Sequence, residues 1–206
     1  MSTIYSILFK KIISGEYPEG TRLKEESIAA EFDTSRTPVR AALQYLEQDG
    51  LISNVANKGA KVLSFKADEI EEIYEIRKVL ELLALEISLP IISMQKLLDL
   101  KNEIIENRKN EDIQLQTELD AKFHSLIVNS TNKKRLINML RQLFRLIQNF
   151  RGLGFRDKDT KESAIDEHLK ILDAIVRRDI SEAKELMKKH IENSKIIALN
   201  QLSQSK

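Results

Sequence analysis

"TSRTPVRAALQYLEQDG", residues 34–50, carries the signals of one complete helix. Ser35 suits the N-cap, and Pro38 falls in the first turn, where its missing N–H costs nothing. Gly50 suits the position past the end. Working outward, "KEESIAAEF" (24–32) reads as a short helix directly before it. "ISGEYPEGTRL" (13–23) is a turn, with Gly15 able to end a first helix that carries Ile4, Ile7, Leu8 and Ile12 at helical spacing. Downstream, "LISNV", the turn "ANKG" and "AKVLSF" predict two strands joined as a hairpin. Three helices and a hairpin in that order describe a winged helix-turn-helix.

The texture changes after Phe65. Residues 67–206 contain Pro90 as their only proline, and Gly152 and Gly154 as their only glycines. Periodicity predicts helices near 68–88, 93–108, 112–129, 132–150, 161–178 and 181–199, with Asp68 and Ser181 as N-caps and "GLGFRDKD" (152–159) as the one obvious loop. The expected fold is mainly α. Residues 1–66 form a winged helix-turn-helix head, and residues 67–206 form an all-α antiparallel helical bundle. With 42% hydrophobic and 32% charged residues, the 206-residue chain has the composition of an ordinary globular protein. The absence of cysteine excludes disulfides and thiolate metal sites. No apolar run reaches the roughly 20 residues of a membrane-spanning helix, and "MSTIYSILFKK" lacks the marks of a signal peptide. A cytoplasmic protein that makes no membrane contact is the expectation. Net charge is +1, so a claim on nucleic acid must rest on a local patch rather than on overall charge.

Such a patch exists. The second helix of a helix-turn-helix enters the major groove, and its N-terminal residues meet base edges. Here that end reads Ser35, Arg36, Thr37, Pro38, Val39, Arg40. Arg36 and Arg40 share a face, and an arginine fork matches guanine O6 and N7, each good pair giving about 1–3 kcal/mol of discrimination. Thr37 can add a phosphate or base contact, and N–H groups at the helix start suit phosphate. Lys58 and Gly59 lie at the wing tip. Read alone, R-x-x-x-R is a solvated helix face; the ordered elements around it favour the nucleic-acid reading.

The bundle places polar residues on apolar seams. Leu119, Phe123, Leu126 and Ile127 mark one helix face, and Asp120 and His124 stack beside it, four residues apart. His168 interrupts the stripe Ile165, Leu172, Ile175, and His190 interrupts Ala183, Met187, Ile197. All three histidines of the chain therefore lie on inward seams of three different helices. They are either core imidazoles satisfied by hydrogen bonds or, with Asp120, three nitrogens and one oxygen for a divalent metal. Zinc, nickel and manganese all suit such ligands. Arg77 interrupts a fourth stripe, Ile70, Ile73, Leu80, Ala84, Ile87. It is either a structural cation paired with Asp120 or a glutamate, or it awaits a ligand carboxylate.

"LKEESIAAEFDTSRTPVRAALQYLEQDGLI" with "NKGAKV" (57–62) resembles the DNA-binding domain of the GntR family of bacterial transcription regulators. "SRTPVR" is the most specific part of the match. The resemblance implies that Arg36, Thr37, Arg40 and the Lys58–Gly59 tip contact operator DNA. Asp33, Thr34 and Ala41 depart from the family's glycine, valine and glutamate, but Asp tolerates a left-handed backbone better than most residues. "YEIRKVLELLALEIS", "LDAKFHSLIV", "DEHLKILDAIVRRD" and "AKELMKKHI" resemble the FCD effector domain. That resemblance implies a divalent metal on Asp120, His124, His168 and His190. It also implies a small carboxylate metabolite beside the metal, helped by Arg77. Asn193 and Ser194, one turn past His190, are candidates to line that pocket. A homodimer reading a near-palindromic double-stranded operator is expected, because two-fold proteins match two-fold sites. The alternatives are the same regulator with a purely structural metal, or a metal-dependent hydrolase.

Overall fold

The computed structural model describes residues 3–13, 15–48, 50–55, 59–63 and 67–204. Two compact units result: Met1–Phe65 together with Phe144–Asn149, and Lys66–Leu143 together with Phe150–Lys206.

In the first unit, α1 (Thr3–Ile13) and α2 (Glu25–Glu31) pack on α3 (Arg36–Gln48). The apolar spacing of each helix supplies the core: Leu8 and Ile12 from α1, Ile28 from α2, and Val39, Ala42, Leu43 and Leu46 from α3 are all buried. Ser35 directly precedes α3, Pro38 sits in its first turn, and Gly50 beyond its end has φ 71°. Asp33 adopts φ 46° in the turn between α2 and α3, so aspartate takes the left-handed position where the related pattern has glycine.

The wing differs from the expected hairpin. β1 (Arg22–Leu23) joins β2 (Ile52–Val55) and β3 (Gly59–Val62) in a three-stranded antiparallel sheet of order β1-β3-β2. Leu23 pairs with Ala60, and Val55 pairs with Gly59. Two residues carry no alternation, which is why β1 escapes a reading by period. Gly59 has φ +81°, and a Cβ placed there would lie 2.8 Å from the Leu23 carbonyl oxygen. The glycine is therefore required by the sheet itself, through backbone conformation and through close approach of β1.

Among the described residues the second unit is helical: α4 (Ala67–Ser88), α5 (Met94–Glu106), α6 (Ile113–Ser130), α8 (Lys158–Val176), α9 (Ile180–Gln204) and, apart from Phe144–Asn149, α7 (Lys134–Gly154). Within it α4 packs on α6 and α9, α8 packs on α5 and α9, and α5 packs on α6. Three helix ends differ from expectation. Asp68 lies inside the first turn of α4, where a carboxylate still favours the dipole, rather than at its cap. Asp179, not Ser181, caps α9, accepting the Glu182 backbone N–H at 2.9 Å. α7 continues through Gly152 to Gly154, and α8 begins at Lys158 because Asp157 accepts the Thr160 N–H at 2.8 Å. The loop expected over 152–159 thus shrinks to residues 155–157. Gly154 fits because a Cβ there would press on Ile197 at 3.2 Å.

Candidate nucleic-acid interface and metal centre

The start of α3 presents Ser35, Arg36, Thr37 and Arg40 to solvent. Arg36 Nη2 lies 2.8 Å from Glu26, and Arg40 makes a two-pronged contact with Glu25, both N···O distances 2.8 Å. The Arg40 guanidinium holds the Glu25 carboxyl below its ordinary range. These glutamates open α2, so the turn between the two helices aligns two exposed guanidinium groups on one side of the unit. The periodic reading assigned the pair to one face but missed the glutamates that hold it; the acidic pair in "KEESI" was the available signal. Such exposed pairs are worth about 0–1 kcal/mol, weak enough to exchange for phosphate or a base edge. Gly59 opens β3, and Lys58 lies outside the described residues.

In the bundle, α6 carries Asp120 and His124, α8 carries His168 and α9 carries His190. All four are buried, with one ligand-type atom from each lying within 4.8 Å of the others. His190 Nε2 stands 3.3 Å from His124 Nε2 and 3.2 Å from His168 Nε2. Asp120 Oδ1 is 3.5 Å from His168 Nε2 and 3.7 Å from His124 Nε2. Phe123 stacks on the His168 ring with centroids 4.1 Å apart and fixes its plane.

Arg77 reaches this cluster from α4. It is 1% exposed, its Nε donates to Glu81 Oε1 at 2.5 Å, and its Nη2 lies 3.0 Å from His124 Nε2. Guanidinium has donors only, so His124 Nε2 must offer its lone pair, and the ring proton resides on Nδ1. That is where Glu81 Oε2 waits at 2.6 Å. Burial pulls Glu81 upward, but contact with His124 and Arg77 outweighs it and holds the carboxyl well below the usual carboxylate range. Burial lowers His190, the Glu167 contact opposing, so this ring also favours its neutral form. His190, with Nδ1 toward Glu167, offers its Nε2 lone pair to a centre that His168 Nε2 and His124 Nε2 also face, at 3.2 and 3.3 Å from it. Three nitrogens, one carboxylate oxygen and buried surroundings form a donor set that suits a divalent first-row metal.

Of the other expected residues, Ser194 lines a cavity of about 30 Å³ together with Asp120, His190, Tyr74 and Gly154. Asn193 does not line it. It faces an outer groove between α8 and α9 and donates to Glu167 Oε1 at 2.5 Å. Glu81 and Glu167 escaped the sequence reading. Glu81 stands four residues after Arg77 on the same stripe, which was the signal for the first; nothing in the periodicity of α8 singles out the second.

A short helix carrying paired guanidinium groups, braced by a second helix and a small sheet, defines a winged helix-turn-helix DNA-binding protein, here with an all-helical companion domain. Comparison with known proteins narrows that class. The model for "Bacterial regulatory proteins, gntR family" matches residues 1–62, and the FCD domain model matches residues 72–193. The chain belongs to the GntR family of bacterial transcription regulators, in the branch with an FCD domain. It is 31% identical over 192 residues to the HTH-type transcriptional regulator YdhC of Bacillus subtilis (strain 168), covering 91% of this chain and 84% of that one. The solved structure of E. coli McbR/YncC superposes with a TM-score of 0.76 at 20% identity, covering 96% of both chains. The Zn2+-bound FCD domain of TM0439 superposes with a TM-score of 0.60 at 22% identity, over 68% of this chain and 99% of that one. The family consists of transcription regulators rather than enzymes, so the hydrolase reading falls away. Among the described residues no helix is long and apolar enough to cross a membrane.

Proposed function

We propose that this regulator reads its operator through Ser35, Arg36, Thr37, Arg40 and the Lys58–Gly59 tip, within a head of residues 1–66, and acts as a homodimer. In the same proposal, residues 67–206 hold a divalent cation on Asp120, His124, His168 and His190. The cation anchors a small carboxylate metabolite, with Arg77 and Ser194 beside it. The observation that carries the reading is the convergence of three imidazole Nε2 atoms and one carboxylate oxygen within 4.8 Å in a buried core. Zinc is the first candidate, supported by the zinc-bound FCD domain of similar fold; nickel and manganese suit the same donors. Asn193, which donates to Glu167 and lines the outer groove between α8 and α9, stays in the proposed effector set from that side. Binding of the metabolite shifts operator affinity only in so far as it favours one arrangement of the dimer.

A second reading has its own support. The cavity beside Asp120 and His190 measures about 30 Å³, room for an ion or a water but not for an organic acid. A purely structural metal fits that size without any rearrangement. Elemental analysis of the natively purified protein, paired with mobility shifts on operator DNA, tests both. Metal retained by the unsubstituted chain and lost from His168→Ala/His190→Ala supports the ligand set; full retention by the double variant refutes it. Metal removal that lowers thermal stability while operator affinity stays the same, with and without added carboxylates, favours the structural reading.

A further inference from the structure

We propose that Glu81, Glu167 and Asn193 are positioning residues for the cation. Each carboxylate holds the Nδ1–H of one imidazole, so that the ring's Nε2 lone pair faces the common centre, and Asn193 holds Glu167 in place. The inference rests on the metal reading above.

The geometry repeats at two places in the bundle. Glu81 takes His124 Nδ1–H on Oε2 at 2.6 Å and Arg77 Nε–H on Oε1 at 2.5 Å. Glu167 takes His190 Nδ1–H on Oε2 at 2.8 Å and Asn193 Nδ2–H on Oε1 at 2.5 Å. Each carboxylate thus spends one oxygen on the imidazole and the other on a second donor, which prevents it from turning. At His124 the donor-only guanidinium takes the Nε2 lone pair and so fixes the same tautomer independently of the carboxylate, and it must release that lone pair when a cation binds. At His190 no guanidinium reaches Nε2 among the described residues, so Glu167 is the more telling test. Glu167 is also partly exposed, its side chain retaining 18% of its surface, so substitution there is structurally mild.

A carboxylate and an amide of the same shape behave oppositely in this frame. Glu167→Gln leaves one oxygen where the carboxylate offered two. Where the Asn193 amide keeps its NH2 on that carbonyl, as it does on Glu167, the new NH2 faces His190 Nδ1. That nitrogen must then accept, and the ring proton moves to Nε2, into the position the cation needs. Removing Asn193 as well frees the amide to turn its carbonyl toward His190 and restores the original tautomer. Glu167→Ala forces neither tautomer. Carboxylates that orient metal-bound histidines typically contribute 10–100-fold in affinity.

The experiment measures Zn2+ affinity by chelator competition on the full chain, and the His190 ring tautomer by nitrogen-15 NMR on metal-free protein. The expected order of zinc affinity is unsubstituted chain, then Glu167→Ala, then Glu167→Gln about 10–100-fold below the first. The Glu167→Gln/Asn193→Ala variant recovers much of the loss. His190 is expected to carry its proton on Nδ1 in the unsubstituted chain and on Nε2 in Glu167→Gln, with little change in metal-free melting. Zinc binding by Glu167→Gln equal to the unsubstituted chain would overturn this inference and leave the metal reading standing. So would a Glu167→Gln/Asn193→Ala variant that carries its ring proton on Nδ1 yet binds zinc no better than Glu167→Gln. An unsubstituted chain that binds none of zinc, nickel or manganese would overturn both.

Discussion

Replacing Arg77 with methionine tests the central polar contact of the bundle. The side chain is 1% exposed and donates to Glu81 and His124 in a core where Glu81 is equally buried. Methionine fills most of the vacated length, so the cavity contribution is small. The larger effect is electrostatic: Glu81 keeps its charge with only the His124 N–H as partner. Breaking a buried ion pair by removing one member costs about 3–5 kcal/mol. For a chain of this size, that lowers the melting temperature by roughly 6–20 °C. The double variant Arg77→Met/Glu81→Met removes both charges and leaves one imidazole N–H without its carboxylate, a penalty of about 1–3 kcal/mol. The two changes should therefore be strongly non-additive, the double variant being no less stable than Arg77→Met alone. Urea unfolding in EDTA, followed by circular dichroism, gives the energies, and hydrogen exchange at α4 and α6 amides assigns them to this unit. A single variant that loses less than about 1 kcal/mol, or a double variant that loses the sum of the two singles, would refute the claim of mutual compensation.

Two further outcomes follow from the geometry. Gly59→Ala forces a side chain into φ +81° with its Cβ 2.8 Å from the Leu23 carbonyl oxygen, so β1 must separate from β3. The left-handed backbone alone costs about 1–2 kcal/mol, and weaker operator binding in a mobility shift should accompany a loss of at least that size; unchanged stability would contradict the close approach. The second outcome concerns acid. Glu81 stays ionised in the fold below the pH at which a free glutamate, near 4.3, takes up its proton. As pH falls, the unfolded chain is thus protonated first. The stabilisation is complete above that value and is lost as pH drops further toward the folded-state value. In EDTA, Glu81→Gln should show a shallower decline of unfolding free energy below about pH 4.3 than the unsubstituted chain; identical slopes would mean Glu81 is not the group concerned.

How much of this was legible beforehand depends on whether the determining contacts are local. Ser35, Pro38 and Gly50 report α3 because capping and first-turn chemistry act within a few residues, and the structure has that helix where the signals lie. The apolar stripes broken by Arg77, His124, His168 and His190 report burial, since a helical face is a property of one helix, and all four are buried. The two-residue β1 is different: it exists only because β3 runs alongside, and Gly59 records that neighbour in its backbone rather than in any pattern. The continuation of α7 through Gly152 and Gly154 was misread for a related reason. Glycine weakens a helix by about 1 kcal/mol, but contact with α9 at Ile197 favours the residue without a Cβ.

Glu81 and Glu167 mark the limit most sharply. α4 carries six other acidic residues, Asp68, Glu69, Glu71, Glu72, Glu75 and Glu86, and all of them are exposed. Composition and charge pattern treat Glu81 as one more of that kind. What distinguishes it is His124, 43 positions away on another helix, and the same holds for Glu167 and His190 across 23 positions. The histidines announce themselves, because an imidazole on an apolar seam is locally anomalous. Their carboxylates do not, because a glutamate on a charged helix is anomalous only once the opposing helix is known. Buried polar groups must find partners, so the histidines imply that such carboxylates or their equivalents exist. Assigning them to Glu81 and Glu167 requires the packing of α4 on α6 and of α8 on α9, and that pairing of helices is the information no single period contains.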